Sequence, residues 1–203
     1  MIKAIIFDLW ETLGTKNVGI SKMLMHQFNI EKTPDFMTRY ESSIQLSAWK
    51  SEDEMSSSFL RSFNLLNTRE NLGFVTATLR SGVEKSTLYD GMGGLLRELK
   101  AMYKLGILSN TTVFESQAPK KWGVDGLFDT QVYSWQIKSL KPAKRNFDEI
   151  CARLNVAPSE CMFIDDGEKN IIAARSYGFS AIKYESVAQL RTELNRLGVN
   201  AHD

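Results

Sequence analysis

Seven polar residues of this chain, Asp8, Ser109, Asn110, Lys141, Asp165, Asp166 and Asn170, are far apart in sequence but stand at similar places in their local pattern. Asp8 closes the apolar run "KAIIFD". Ser109 and Asn110 close "LGILSN". Asp165 and Asp166 close "CMFIDD", and Asn170 follows one helical turn later. Lys141 precedes Pro142. An aspartate can act as a nucleophile, but it needs a cation to screen its charge as an anionic substrate approaches. Lys141 supplies one point charge. Asp165 and Asp166 supply hard oxygen ligands suited to Mg²⁺. Ser109 and nearby backbone N–H groups are placed to hold phosphoryl oxygens. Each feature alone has a bland reading: a strand-end aspartate caps a loop, Ser-Asn starts a helix, and Lys-Pro marks a turn. Together they describe a phosphoryl-transfer site.

Such a site exists only if the elements carrying these residues lie side by side. "KAIIFDL" reads as a buried strand. From Leu88 onward helices and strands alternate. "GLLRELKAM", "PAKRNFDEICARLN", "EKNIIAARSYG" and "SVAQLRTELNRL" are helical, "VFESQAPKKW" is helix or turn, and "YKLGILSN", "DTQVYS", "ECMFIDD" and "SAIKY" are strands. Five strands separated by helices predict a parallel sheet with helices on both faces, and ligands bind such sheets outside the carboxyl ends of the strands. The fold class is therefore α/β, with a Rossmann-like parallel core. Between the first strand and the rest, "ISKMLMHQF", "DFMTRYESSIQLSAWK", "EDEMSSSFLRSFNLL" and "RENLGFVTATLRSGVEKS" space their apolar residues at three and four. Pro34 and the Ser51–Glu54 cluster mark helix starts. The division is residues 1–16 and 88–203 for the core and 17–87 for an inserted, strand-free helical cap. Thr15–Asn17 and Thr87–Asp90 are its expected hinge loops.

Bulk properties narrow the partners. With 203 residues, 43% hydrophobic and 24% charged, the chain has room for one substantial domain plus an insert. A net charge of +1 gives no reason to expect nucleic acid or a charged membrane. The N-terminus lacks the apolar core of a signal peptide, and no apolar run approaches the roughly 18 residues of a membrane span. Cys151 and Cys161 form no disulfide framework in a chain this long. A reducing cytoplasm is the expected compartment, and the oligomeric state is not readable.

The words "FDLWETL", "ILSN", "KP" and "FIDDGEKN" occur in the order of the four motifs of the haloacid dehalogenase superfamily, which the sequence resembles over about residues 1–16 and 88–198. The intervening text, "GLFDTQVYS" and "NIIAARSYGF", is similar too. The resemblance implies that Asp8 is the nucleophile that becomes an aspartyl-phosphate or aspartyl ester. It implies that Ser109 and Asn110 bind the transferred group and that Lys141 pairs with both nucleophile and phosphate. Mg²⁺ would be bound by Asp8, by the backbone carbonyl of Trp10 and by Asp166, with Asp165 helping directly or through water and Asn170 orienting the loop. The insert stands where that family carries its substrate-covering cap.

Trp10 departs from the pattern. Most family phosphatases carry a second aspartate there, the general acid that protonates the leaving oxygen. The dehalogenase branch carries an aromatic residue, because halide leaves without a proton. "DDGEKN" points the other way, since two carboxylates aimed at Asp8 without a metal would repel strongly. The expected function is a Mg²⁺-dependent phosphatase acting on a small phosphorylated metabolite. The alternatives are a metal-independent 2-haloacid dehalogenase and a catalytically weak relative that binds a phospholigand or a protein. Glu11 is a candidate replacement acid, but strand alternation would turn it away from Asp8.

The remaining polar and aromatic residues have plainer readings. His26 packs or caps in the insert, and His202 lies in a tail. The "GMGG" at Gly91–Gly94 is a turn entering a helix. Trp122 and Trp135 pack, and Trp49 is a candidate to face substrate. Met23, Met25 and Phe28 belong to the cap core, and the "PKK" at Pro119–Lys121 is a solvated surface.

Overall fold

The computed structural model describes residues 1–199; His202 lies outside them. β1 (Ala4–Phe7) leads through β2 (Gly14–Thr15) into α1 (Ile20–Gln27), α2 (Phe36–Ile44), α3 (Glu52–Ser62) and α4 (Arg69–Glu84). β3 (Thr87–Leu88) then returns the chain to α5 (Met92–Lys100) and β4 (Lys104–Ser109). After these come α6 (Ala118–Lys121), β5 (Thr130–Tyr133), α7 (Ser134–Ile137), α8 (Lys144–Leu154), β6 (Cys161–Asp165), α9 (Glu168–Ser176), β7 (Ser180–Lys183) and α10 (Val187–Arg196). The five long strands form one parallel sheet in the order β5-β4-β1-β6-β7.

β1 is apolar at every position because both faces of the central strand are covered; all four residues are buried. Ile5 and Phe7 join Leu95, Leu96, Leu99, Leu190 and Leu194 from α5 and α10. Ala4 and Ile6 join Phe147, Ile150, Ile171 and Ala174 from α8 and α9. The chain builds outward from β1 to β4 and β5, then crosses to β6 and β7. The switch in direction lies beside β1, the point where open α/β sheets bind ligands. Phe7 pairs with Ile107 on one side and Ile164 on the other. That register brings the residue after β1, Asp8, level with the ends of β4 and β6.

α1–α4 have an apolar centre of their own. Leu24, Phe36, Tyr40, Ile44, Met55, Phe59, Leu60 and Val75 are buried together. The Ser51–Glu54 signal marks the start of α3, where Ser51 Oγ accepts from the Glu54 amide; α4 starts at Thr68, which the sequence reading did not single out and whose Oγ1 accepts from the Asn71 amide. Met25 and Phe28 pack on this cluster, while Met23 is 42% exposed. Trp49 does not face the strand ends. Its Nε1 donates to the Ile44 carbonyl at 2.7 Å and its ring packs against the helices.

The connections between the helices and the sheet differ from the expected loops. β2 and β3 pair antiparallel, Gly14 with Leu88 and Thr15 with Thr87. A Cβ on Gly14 would stand 2.3 Å from the Thr87 carbonyl oxygen and 2.7 Å from the Trp122 ring, so only glycine fits this crossing. Asn17 Nδ2 donates to the Lys85 carbonyl and Thr87 Oγ1. Lys121, read as part of a solvated surface, instead donates to the carbonyls of Val83, Glu84 and Ser86 and closes the end of α4. Cys151 and Cys161 are free and buried, with sulfurs 3.7 Å apart. No helix among the described residues is long and apolar enough to cross a membrane.

Candidate active site

Three strand ends and one loop converge. Asp8 follows β1, and its amide donates to the Ile164 carbonyl at 2.8 Å, which continues the ladder for one residue. Lys141 Nζ lies 2.7 Å from Asp8 Oδ1 and 2.6 Å from Asp165 Oδ2. All three side chains are nearly excluded from water. Asp165 also accepts from the Gly167 amide at 2.8 Å and from Asn170 Nδ2 at 2.9 and 3.1 Å. With that many donors Asp165 is held rigidly, and its lone pairs are largely used. Asp166, one residue on, is exposed and lines the cavity.

Carboxylate oxygens of Asp8, Asp165 and Asp166 all lie within 4.8 Å of one another. Among the described residues the only ammonium paired with any of these three acids is that of Lys141. Burial pushes the Asp8 carboxyl up to about 7; Lys141 opposes that shift and Asp165 adds to it. Desolvation and Asp165 push Asp166 up to about 6. Burial alone would depress the Lys141 ammonium, but Asp165 and Asp8 outweigh it and hold its pKa above the ordinary lysine value. A net negative site cannot welcome a phosphate dianion unaided. A hard divalent cation would satisfy these donors and reverse the local charge. The residues present therefore fit Mg²⁺.

Asn110 lines the cavity but is already engaged. Its Oδ1 accepts from the Lys141 amide at 2.7 Å and its Nδ2 donates to the Lys141 carbonyl at 3.2 Å, so it clasps the lysine's backbone. Ser109 Oγ is buried with no hydrogen-bond partner among the described residues. Such a hydroxyl is chemically suited to an incoming oxygen, but Ser109 is not among the described residues that line the cavity. The amides of Thr111 and Thr112 are spent on Ser134 Oγ and Glu115, so those two do not serve as free phosphoryl donors.

Trp10 lies beyond β1, whose ladder ends with the Asp8 amide; alternation along the strand therefore governs neither Trp10 nor Glu11. The Trp10 Nε1 donates to Thr111 Oγ1 at 3.0 Å, and the edge-on ring of Trp122 lies 5.7 Å away. Lys16 sits 4.7 Å above the indole and pairs with the buried Glu115. Trp10 thus forms a fixed side wall. Glu11 adopts a left-handed conformation, φ 57°, and does line the cavity. Its carboxylate accepts from Thr15 Oγ1 and the Tyr89 hydroxyl, each at 2.9 Å.

The cavity has a volume of about 380 Å³ and lies between the strand ends and α1–α2. Asp8, Lys141, Asp166 and Asn170 form one side; Val18, Ile20, Met37, Tyr40, Glu41 and Gln45 form the other. Neither Lys16 nor Glu41 carries a motif, and a single sequence offers no signal for them.

A family profile described as a haloacid dehalogenase-like hydrolase matches residues 2–178. The chain belongs to that family. D-ribitol-5-phosphate phosphatase of Bacteroides thetaiotaomicron is 31% identical over 107 residues, which is 47% of this chain and 50% of that protein. The chain thus matches half the length of that relative. (S)-2-haloacid dehalogenase 4A of Burkholderia cepacia is 27% identical over 199 residues, 90% of this chain and 82% of that one. Among solved structures, a HAD family enzyme of Bacteroides thetaiotaomicron in complex with magnesium and inorganic phosphate superposes with a TM-score of 0.69 at 19% identity, covering 94% of this chain and 99% of that chain. At that identity the likeness shows the fold alone.

Proposed function

We propose that this family hydrolase is a Mg²⁺-dependent phosphatase that cleaves small phosphate monoesters through an aspartyl-phosphate on Asp8. The observation that carries the reading is the excess of carboxylate over ammonium at the strand ends, with Asp166 open beside Asp8. A haloacid dehalogenase needs no metal, and three clustered acids would then only repel its carboxylate substrate. Asp8, Asp166, the Trp10 carbonyl and Asp165, directly or through water, would hold Mg²⁺, which supplies positive charge to the phosphoryl oxygens. Lys141 keeps Asp8 ionised and aimed. Ser109 Oγ donates to a phosphoryl oxygen, and Asn110 keeps Lys141 in place. The helices α1–α4 act as a cap that excludes water while Asp8 attacks. The ribitol-phosphate phosphatase relative supports a small phosphorylated metabolite as substrate.

Trp10 and the long match to a haloacid dehalogenase favour a second reading, a metal-independent 2-haloacid dehalogenase. One assay separates the two. A panel of phosphorylated metabolites and 2-chloropropionate is incubated with the protein in Mg²⁺ and in EDTA. Phosphate release that EDTA abolishes is expected. Chloride release that survives EDTA, with no phosphate release, would establish the dehalogenase instead.

A further inference from the structure

We propose that Glu41 of α2 is the proton donor to the leaving oxygen, the task that Trp10 cannot perform. This rests on the phosphatase reading. An indole N–H is a hydrogen-bond donor, not an acid, and here it is committed to Thr111. In an in-line displacement the leaving oxygen departs opposite the attacking Asp8. That direction is away from the sheet, toward the wall formed by α1 and α2.

Among the described residues four carboxyls line the cavity: Asp8, Glu11, Glu41 and Asp166. Asp8 attacks and Asp166 belongs to the metal cluster. Glu11 is held as an acceptor by Thr15 and Tyr89. Glu41 remains, and it comes from the cap side. Its Oε2 accepts from Asn110 Nδ2 at 3.4 Å while its Oε1 makes no hydrogen bond among the described residues, unlike Glu11, both of whose oxygens are engaged; Asn110 in turn clasps the backbone of Lys141. Burial raises the Glu41 carboxyl, which keeps it closer to the protonated form, against the pull of Lys169, Lys141, the Asn110 hydrogen bond and Lys16. On the same wall Gln45 Oε1 is buried with no partner among the described residues. It suits a hydroxyl of an aliphatic alcohol, the kind of leaving group that needs an acid.

The protons balance over two steps. Asp8 bonds to phosphorus, the P–O ester bond breaks, and the departing alkoxide takes the Glu41 proton. Water then attacks phosphorus, the P–O bond to Asp8 breaks, and Glu41 carboxylate takes a proton from that water. The product is inorganic phosphate and the enzyme is restored.

The test measures first-turnover release of the leaving group with Mg²⁺, using p-nitrophenyl phosphate and glycerol 3-phosphate, for wild type, Glu41→Gln and Glu11→Gln. Nitrophenolate leaves without a proton and glycerolate does not. Glu41→Gln is expected to slow glycerol release by about 10²-fold or more while its nitrophenolate burst stays within a few-fold of wild type. Equal slowing of both substrates, slowing of neither, or selective slowing by Glu11→Gln in place of Glu41→Gln would overturn the inference. Wild type that turns over the aryl ester through Asp8 but never glycerol phosphate would also overturn it and leave the phosphatase reading intact. Wild type inactive on every phosphate ester tried would remove both.

Discussion

At the residue scale the site is a charge problem. Asp8 is raised from the usual 3.8 to about 7. A carboxyl whose folded pKa lies above its unfolded one costs the fold stability as pH rises between those values. The metal-free protein should therefore lose stability from about pH 4 to about pH 7 on account of Asp8. Asp8→Asn should melt higher than wild type at pH 8 without metal, with the difference vanishing at pH 4; a thermal melt at each pH checks it. Metal competes with protons for the same oxygens. The Mg²⁺-induced rise in Tm should accordingly grow from pH 5 to pH 8. Lys141→Met should expose the opposite side of the balance. Removing the cation leaves its buried acids uncompensated and costs about 3–5 kcal/mol, and urea unfolding should show part of that loss recovered when Mg²⁺ is added. Asp8, Lys141 and the acidic pair were legible in the sequence because each ends an apolar run or stands in a motif. Lys16, Glu115 and Thr111 were not. Their roles depend on which side chains meet around the Trp10 ring, and no spacing encodes that.

At the element scale the strands and helices followed hydrophobic period. "AIIF" and "CMFID" are buried throughout and lie at the centre of the sheet. The β2–β3 ribbon was invisible because two-residue strands have no period; their pairing is set by the approach of the two chain segments that join helices to sheet. Gly14→Ala should destabilise the protein by about 1–3 kcal/mol, as overpacking does, because the new methyl meets the Thr87 carbonyl. Equilibrium urea unfolding would read it. A cap that closes during turnover must bend at this ribbon. Hydrogen exchange with beryllofluoride and Mg²⁺ should gain protection in residues 12–18 and 85–90 relative to the free protein. Unchanged exchange there would speak against closure.

At the scale of the whole molecule, a sheet that switches direction beside β1 brings the catalytic candidates together, and the helical insert covers them. The order of elements made the sheet and its insert predictable, while the residues of the wall facing Asp8 were not. Tyr40, Glu41 and Gln45 sit in an amphipathic stretch whose pattern says only that one face is buried. The central claim, that a phosphoryl group passes through Asp8, can be tested by trapping. Borohydride reduces an acyl phosphate to an alcohol and so would turn a phosphorylated Asp8 into homoserine. Protein quenched with borohydride during turnover of a phosphate ester and then digested should show this change at residue 8 by mass spectrometry, and only when both ester and Mg²⁺ are present. Turnover of the ester with residue 8 still aspartate, or conversion driven by 2-chloropropionate without metal, would contradict it.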